Sequence, residues 1–297
     1  MSLFRGSIVA IVTPMRGGVS PESELDDKCL ENLIDFHVEN GTKAVVAAGT
    51  TGESATLTFE EHCQVIEKIV RLAEGRIPVI AGTGANSTHE ALLLTKEAKK
   101  IGADAALIVT PYYNKPTQDG LWRHHKLLAE EVQIPQILYN VPSRTACDLL
   151  PETIARLSVF PNVIGVKEAT ADLTRVKKLR EMCGPDFVLL SGDDMTAREF
   201  ILRGGDGVIS VTANVAPNRM NEMVNAALAG DKKGSSEIDE CLLGLHKDLF
   251  LEANPIPVKW AVSRLGLIDD GIRLPLTHLS TKYESAILAS MKVAGLI

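Results

Sequence analysis

Cysteine is scarce in this sequence, and its positions form no recognisable pattern. The residues are odd in number, they are scattered, and no C-x-x-C pair occurs among them. That distribution is more typical of reduced, buried thiols in a cytoplasm than of a disulfide framework. We therefore expect a cytoplasmic protein. The five positions are Cys29, Cys63, Cys147, Cys183 and Cys241.

The sequence also lacks a surplus of positive charge and any long apolar run. The 31 lysines and arginines are outnumbered by 38 aspartates and glutamates, which gives a formal net charge of -7. Since no basic surplus exists to neutralise phosphates, we expect no nucleic acid and no membrane as a partner. No apolar run approaches the ~20 residues of a membrane span, and the segment MSLFRGSIVAIVTP has no signal-peptide cleavage site.

Motifs for metals and for common cofactors are missing as well. The seven histidines include no H-x-H and no H-E-x-x-H. The segment GTGANS (82–87) lacks the third glycine of a dinucleotide-binding turn, and no G-x-S-x-G elbow of an esterase occurs. We expect neither a metal nor a cofactor.

Eight short apolar runs are present, and each one starts after a turn signal and ends in polar residues. Their apolar character is continuous rather than alternating, which is typical of parallel strands covered on both faces. The runs are SIVAIVTP (7–14), TKAVVAAGTT (42–51), IPVIAGTG (77–84), DAALIVTPYY (104–113), IPQILYNVP (134–142), NVIGVKEAT (162–170), DFVLLSGDD (186–194) and DGVISVTANV (206–215).

Segments with helical periodicity separate these runs. Thr58 with Glu61 and Ser87 with Glu90 form capping-box patterns, and glycines such as Gly102 lie where the helices should stop. Eight strand-then-helix units predict an α/β protein with a (β/α)8 TIM barrel. A doubly wound open sheet is the alternative, but it usually contains a glycine-rich phosphate turn.

The strand pattern stops near Pro217, and about 80 residues of helical pattern follow. We therefore expect a catalytic barrel over residues 1–216. Residues 217–297 are expected to form an appended C-terminal helical region that completes the barrel and packs on it or on a partner subunit.

Lys167 lies at the end of one predicted buried strand, in the segment IGVKEAT (164–170). Side chains alternate along a strand, so Gly165 and Lys167 face the same side, and the glycine leaves room beside the lysine. An ordinary lysine has a pKa near ~10.4, but partial burial favours the neutral amine. Lys167 is therefore either an ion-pairing residue at the barrel mouth or a nucleophile that forms an imine with a ketone.

An imine mechanism requires proton transfers, and polar residues at neighbouring strand ends could supply them. Tyr139 closes the preceding strand, in ILYNVP, so we expect it beside Lys167. Its hydroxyl could act as acid and base, with Thr51 and Tyr113 as relay partners. The alternative for Tyr139 is a core aromatic residue whose hydroxyl is satisfied locally.

Arg144 follows a few residues later, in VPSRT. Its guanidinium group stays charged and offers a planar fork that matches a carboxylate, while Pro142 stiffens the loop that holds it. A solvated surface arginine is the alternative.

Seven segments together resemble the dihydrodipicolinate synthase family, and the resemblance spans essentially the whole chain in order. It implies a condensation of pyruvate with L-aspartate 4-semialdehyde to 4-hydroxy-tetrahydrodipicolinate, in the diaminopimelate route to lysine. The segments are GTTGESATL (49–57), TPYYNKP (110–116), QILYNVPSRTACDL (136–149), GVKEAT (165–170), LLSGDD (189–194), GGDGVISVTANV (204–215) and NPIPVKW (254–260).

The resemblance also implies roles for individual residues. Lys167 matches the family's Schiff-base lysine, and Arg144 matches the arginine that binds the carboxylate of the semialdehyde. A second set matches the proton relay, namely Tyr139, Thr51 and Tyr113, with Tyr113 expected to reach into a neighbouring subunit's site. A third set matches positions of the pyruvate pocket: Thr50, Gly192 and Ile209.

Assembly and feedback control are implied by the same resemblance. A homotetramer built as a dimer of dimers is usual in the family, and its inhibited members bind lysine at the tight-dimer interface. Phe59 stands where the best-known inhibited enzymes have a histidine, so lysine inhibition is a hypothesis here. The matching positions are Ser54, Ala55, His62, Asn86, Glu90 and Tyr112.

Two other functions compete with this interpretation. One is a sister aldolase with the same lysine chemistry, such as N-acetylneuraminate lyase or a 2-keto-3-deoxy sugar-acid aldolase. Arg144 and the Tyr113 relay favour a small acidic aldehyde over a polyol chain. The other is a non-catalytic barrel that binds an oxo-acid as a sensor, in which Lys167 would form no covalent bond.

Overall fold

The computed structural model describes residues 3–297, and eight parallel strands close into a barrel in sequence order. Each strand pairs with its neighbours along the chain, and β1 pairs with β8 to complete the ring. The predicted TIM barrel is therefore confirmed. The strands are β1 (Gly6–Ala10), β2 (Ala44–Ala47), β3 (Val79–Gly82), β4 (Ala105–Val109), β5 (Gln136–Asn140), β6 (Val163–Glu168), β7 (Val188–Ser191) and β8 (Gly207–Ser210).

Helices follow the strands and cover the outside of the barrel. The helices are α1 (Asp27–Glu39), α2 (Phe59–Ala73), α3 (Thr88–Ile101), α4 (Gln118–Glu131), α5 (Pro142–Thr145), α6 (Pro151–Leu157), α7 (Thr174–Cys183), α8 (Ala197–Leu202), α9 (Pro217–Leu228), α10 (Lys232–Asp248), α11 (Ile256–Arg264) and α12 (Thr281–Val293).

The helix ends agree with the sequence signals. Both hydrogen bonds of a capping box are present between Thr58 and Glu61 at the start of α2. Ser87 accepts the backbone N–H of Glu90 at the start of α3, and Gly102 ends that helix with a φ of 97°. Such caps satisfy backbone groups that the helix itself leaves free.

Two layers of apolar side chains hold the barrel together. One cluster fills the interior, where residues of alternate strand positions such as Ile8, Val46 and Ile137 are buried. A larger cluster joins the outer strand faces to the helices, including Val45 and Ile66. Because both faces are covered, the strands have the continuous apolar character seen in the sequence.

The C-terminal helices join the barrel without a linker. Ala216 is the N-cap of α9, which contacts β1 and β8 and so takes the place of the eighth barrel helix. Helix α10 packs on both α9 and α12. The division of the chain at residues 216 and 217 stays a prediction. Within residues 3–297, every helix is too short or too polar to cross a bilayer.

Candidate active site

A cavity of about 240 Å³ opens at the carboxyl ends of the strands. This is the end of a TIM barrel at which active sites lie. Six of the residues predicted for catalysis or substrate binding line it, together with Asn254, for which the sequence suggests no individual role. The six are Lys167, Tyr139, Arg144, Thr50, Thr51 and Gly192.

Lys167 is held inside this cavity and not in bulk solvent. Only 6% of the surface of Lys167 is exposed, and this burial lowers the pKa of the amine to about 7. The negative charge of Asp194 works against that shift, whereas the positive charge of Arg144 adds to it. A sizeable fraction of the amines is therefore neutral and nucleophilic near pH 7.

Tyr139 lies directly beside this lysine, as the sequence predicts. The two residues are register partners on β5 and β6, and the Lys167 Nζ atom is 4.2 Å from the centre of the tyrosine ring. Burial raises the pKa of Tyr139 to about 12, against the opposing effects of Arg144 and of a hydrogen bond with the Thr50 side chain. The phenol is therefore protonated and can donate a proton to a group bound at Lys167.

The two threonines after β2 have different partners. Thr50 hydrogen-bonds with Tyr139, whereas the Oγ1 atom of Thr51 accepts a hydrogen bond of 3.0 Å from the side chain of Asn254. Thr50 is thus a partner of the Tyr139 hydroxyl, and the relay role that the family resemblance implies for Thr51 stays a prediction. Sequence spacing does not decide between adjacent residues whose side chains leave a turn in different directions.

Arg144 lies on the short helix α5, which begins with Pro142 at its first position. The residue is exposed but lines the cavity, so its guanidinium group stands at the entrance. A cation there can attract an anionic substrate, and the same charge favours the neutral form of the Lys167 amine.

Gly192 and Ile209 occupy different layers of the site. A Cβ atom at Gly192 would lie 3.0 Å from the Cε atom of Lys167, so a larger residue would press on the lysine. Ile209 lies on β8 with 1% of its surface exposed and belongs to the interior cluster beneath the cavity.

Buried polar groups behind the strand fix the direction of Lys167. The next residue, Glu168, accepts hydrogen bonds from Asn140 and Arg175, and Arg175 also pairs with Asp148. Burial raises the pKa of Glu168, while the charge of Arg175 opposes this. Because adjacent side chains on a strand point to opposite faces, this network on the outer face leaves Lys167 facing inward.

Tyr113 is not part of the cavity within this single chain. It is 88% exposed, and its backbone has a φ of 75°, in the left-handed region that non-glycine residues seldom adopt. The relay role expected for Tyr113 in a neighbouring subunit's site therefore stays a prediction.

Three residues predicted to bind lysine, Glu90, His62 and Tyr112, interact electrostatically in the structure. Burial lowers the pKa of His62 and raises the pKa of Tyr112, and in both cases the charge of Glu90 favours the protonated form, while the backbone of Asn86 opposes the shift of Tyr112. Ser54, in a 3-10 turn with Ala55, also lines the cavity. The side chain of Phe59 is partly exposed at the start of α2.

Two contributors to the site have no distinctive signal in the sequence. Asn254 precedes α11, some 200 residues from Thr51, and only its place in the segment NPIPVKW drew attention to it. Asp194 is the last residue of the run DFVLLSGDD (186–194), but its effect on the pKa of Lys167 depends on burial that the sequence does not reveal. Within residues 3–297, no three His, Cys, Asp or Glu side chains are placed to hold a metal ion.

Known proteins resemble this chain along its whole length. The profile of the dihydrodipicolinate synthetase family matches residues 3–294. The chain is 58% identical to the 4-hydroxy-tetrahydrodipicolinate synthase of Alcanivorax borkumensis, over 99% of each chain.

Solved structures of dihydrodipicolinate synthases are also similar to this chain over its whole length. One is the chloride-inhibited dihydrodipicolinate synthase of Acinetobacter baumannii complexed with pyruvate, which is 54% identical over 99% of each chain, with a TM-score of 0.95. Another is the enzyme of Cyanidioschyzon merolae with lysine bound, 37% identical over 100% of each chain, also with a TM-score of 0.95.

A closed parallel barrel with a buried, weakly basic lysine beside a phenol defines an enzyme of the class I aldolase type, in which a lysine amine captures a keto compound. The chain belongs to the dihydrodipicolinate synthetase family.

Proposed function

We propose that this protein is a lyase that condenses pyruvate with L-aspartate 4-semialdehyde to 4-hydroxy-tetrahydrodipicolinate, through a Schiff base on Lys167. The family match over residues 3–294 supports the reaction. The observation that carries the mechanism is the lowered pKa of the Lys167 amine, about 7, inside a cavity that also holds Tyr139.

The reaction begins when the neutral amine attacks the carbonyl carbon of pyruvate. The resulting carbinolamine loses its hydroxyl as water, which requires one proton, and leaves the imine. Loss of a proton from the methyl carbon then gives an enamine, which attacks the aldehyde carbon of the semialdehyde. The adduct cyclises as its own amino group displaces Lys167, and the free enzyme is restored.

Tyr139 supplies the protons for these steps. Its phenol lies beside the lysine and is protonated at neutral pH, because burial raises its pKa to about 12. A partner must accept and return the proton, and the hydrogen bond with Thr50 supports that residue in this role. Tyr113 would extend the relay from a neighbouring subunit.

Arg144 binds the carboxylate of the semialdehyde. It lies at the entrance of the cavity, and its fork can form two parallel hydrogen bonds to a carboxylate. This preference for a small acidic aldehyde separates the proposed activity from those of the sister aldolases, whose second partners are polyol aldehydes. A panel that includes N-acetylneuraminate and 2-keto-3-deoxy sugar acids should give no turnover.

The decisive experiment combines trapping with a coupled assay. Borohydride added with pyruvate should give a protein with one reduced pyruvate adduct at Lys167, located by mass spectrometry. Lys167→Ala should give no adduct and no activity with pyruvate and the semialdehyde. A wild-type protein that binds pyruvate but stays unmodified would favour the alternative of a non-catalytic barrel that senses an oxo-acid.

Lysine as a feedback inhibitor and a homotetramer are further parts of the proposal. The cluster of Glu90, His62 and Tyr112 presents a carboxylate for an ammonium group and a hydroxyl for a carboxylate. The exposed Tyr113 supports contact with a second subunit. Analytical ultracentrifugation would show whether the protein is a tetramer. The proposed location of the protein is the cytoplasm.

A further inference from the structure

Asn254 is a buried side chain at the edge of the cavity that none of the steps above uses. It lies in the connection between α10 and α11, is 6% exposed and lines the cavity. Its Nδ2 atom donates a 3.0 Å hydrogen bond to the Oγ1 atom of Thr51. Its Oδ1 atom is buried and accepts no hydrogen bond from residues 3–297.

This hydrogen bond fixes the direction of the Thr51 proton. A threonine hydroxyl has one proton to donate and lone pairs that accept, whereas an amide nitrogen only donates. With the amide of Asn254 as the donor, the oxygen of Thr51 must accept, and its proton is left for another acceptor. Thr51 lines the cavity, so that proton is available to a bound molecule.

Pyruvate matches a site that offers such a donor. Its carboxylate and carbonyl oxygens are all acceptors, and it has no donor of its own. A hydroxyl that donates is therefore favourable for it, while one turned to accept would place lone pairs against a carboxylate.

Buried charges hold the two partners in place. Glu53, two residues after Thr51, pairs with Lys259 of α11 at 2.5 Å and accepts the backbone N–H of Arg273 at 3.1 Å. The Arg273 guanidinium in turn pairs with Glu61 of α2. These contacts join the loop after β2 to the C-terminal region that follows Asn254, so buried ion pairs hold the segments of Thr51 and Asn254 together.

We infer that Asn254 is a positioning residue that keeps the Thr51 hydroxyl as a donor to the carboxylate of the keto acid. The C-terminal helices thereby complete the pyruvate pocket of the barrel. The inference rests on the proposed function, because it concerns how the same cavity binds its first substrate.

The test is a double-mutant cycle with Thr51→Val and Asn254→Ala, read out as the pyruvate concentration that gives half-maximal borohydride trapping. Asn254→Ala should raise that concentration about tenfold, which is the effect expected from losing one ordered hydrogen bond. Trapping at saturating pyruvate should stay complete. The steady-state KM for the semialdehyde, at saturating pyruvate, should change less than about twofold. In the Thr51→Val background, Asn254→Ala should have no further effect.

Asn254→Asp checks the direction of the proton. A carboxylate can only accept, so it would draw the Thr51 proton away from pyruvate, and trapping should weaken at least as much as with alanine. Wild-type affinity in this variant would overturn the inference. The inference would also be overturned if the effects of the two substitutions on the trapping concentration multiplied independently. A similar weakening for pyruvate and for the semialdehyde, together with a lowered unfolding temperature, would indicate a merely structural role for Asn254 and would overturn it too.

Asn225→Ala is the matched control, since this exposed asparagine of α9 lies away from the cavity. Its pyruvate titration should equal that of the wild type. The proposed function has its own test: if the wild-type protein forms no pyruvate adduct, the Schiff-base mechanism is rejected, whatever the variants show.

Discussion

The amine of Lys167 lies over the face of the Tyr139 ring, with its Nζ atom 4.2 Å from the ring centre. The pair consists of register partners on adjacent strands, so the backbone ladder of β5 and β6 sets this contact. A weakly basic nucleophile and a proton donor are thereby placed within one small cavity. Several measurable consequences follow from their surroundings.

The pH dependence of imine formation should follow the Lys167 amine. With a pKa of about 7, roughly a tenth of the amines are neutral at pH 6 and about nine-tenths at pH 8. The rate of borohydride-trapped adduct formation at subsaturating pyruvate should therefore rise with pH and level off above about 8. A rate that still rises in proportion to hydroxide at pH 9 would contradict the lowered pKa.

Charge variants should move this profile in opposite directions. Arg144 lowers the pKa of Lys167, so Arg144→Gln should shift the midpoint to higher pH. Asp194 raises that pKa, so Asp194→Asn should shift the midpoint to lower pH. The asparagine keeps an oxygen for the backbone N–H groups of Val211 and Thr212, which limits structural damage. No shift in either variant would show that burial alone sets the pKa of the amine, and shifts of the same sign would contradict the opposite charge effects.

Tyr139→Phe should separate the proton transfers from the fold. The ring remains to fill the interior cluster, while the hydroxyl is lost. We expect kcat to fall about a hundredfold or more, since general acid–base catalysis typically contributes that much. Near-wild-type unfolding, measured by circular dichroism, is the control. An unchanged kcat would assign the proton transfers to another group.

The buried pair of Glu53 and Lys259 should matter for stability. Lys259→Met leaves the buried carboxylate without its partner and should cost about 3–5 kcal/mol in urea unfolding. The double variant with Glu53→Gln removes both charges and should be less unstable than Lys259→Met alone. Lys233→Met breaks an exposed pair with Glu237 and should have a much smaller effect. Equal losses for the exposed and buried pairs would contradict this expectation.

Lysine at millimolar concentration should lower the rate if the cluster around Glu90 binds it. Glu90→Gln removes the charge that would attract the ammonium group. The lysine concentration that halves the rate of this variant, relative to its own uninhibited rate, should therefore be about tenfold higher than in the wild type. Glu97→Gln changes another glutamate of α3, which pairs with Lys100, and should leave inhibition as in the wild type. No loss of rate at millimolar lysine would reject feedback control.

The sequence by itself determined the eight parallel strands and the inward face of β6. Eight continuous apolar runs with helical segments between them require strands covered on both sides, and the closed barrel satisfies this. The alternation along a strand then places Lys167 and Gly165 together, because that period is a local property of the backbone.

Only the tertiary structure decided how basic Lys167 is and which hydroxyl serves which partner. The pKa depends on burial and on the charges of Asp194 and Arg144, which arrive from other strands and loops. Thr50 meets Tyr139 and Thr51 meets Asn254, across more than 80 and more than 200 residues of sequence respectively. Such contacts depend on how distant segments pack, and no local pattern in the sequence specifies them.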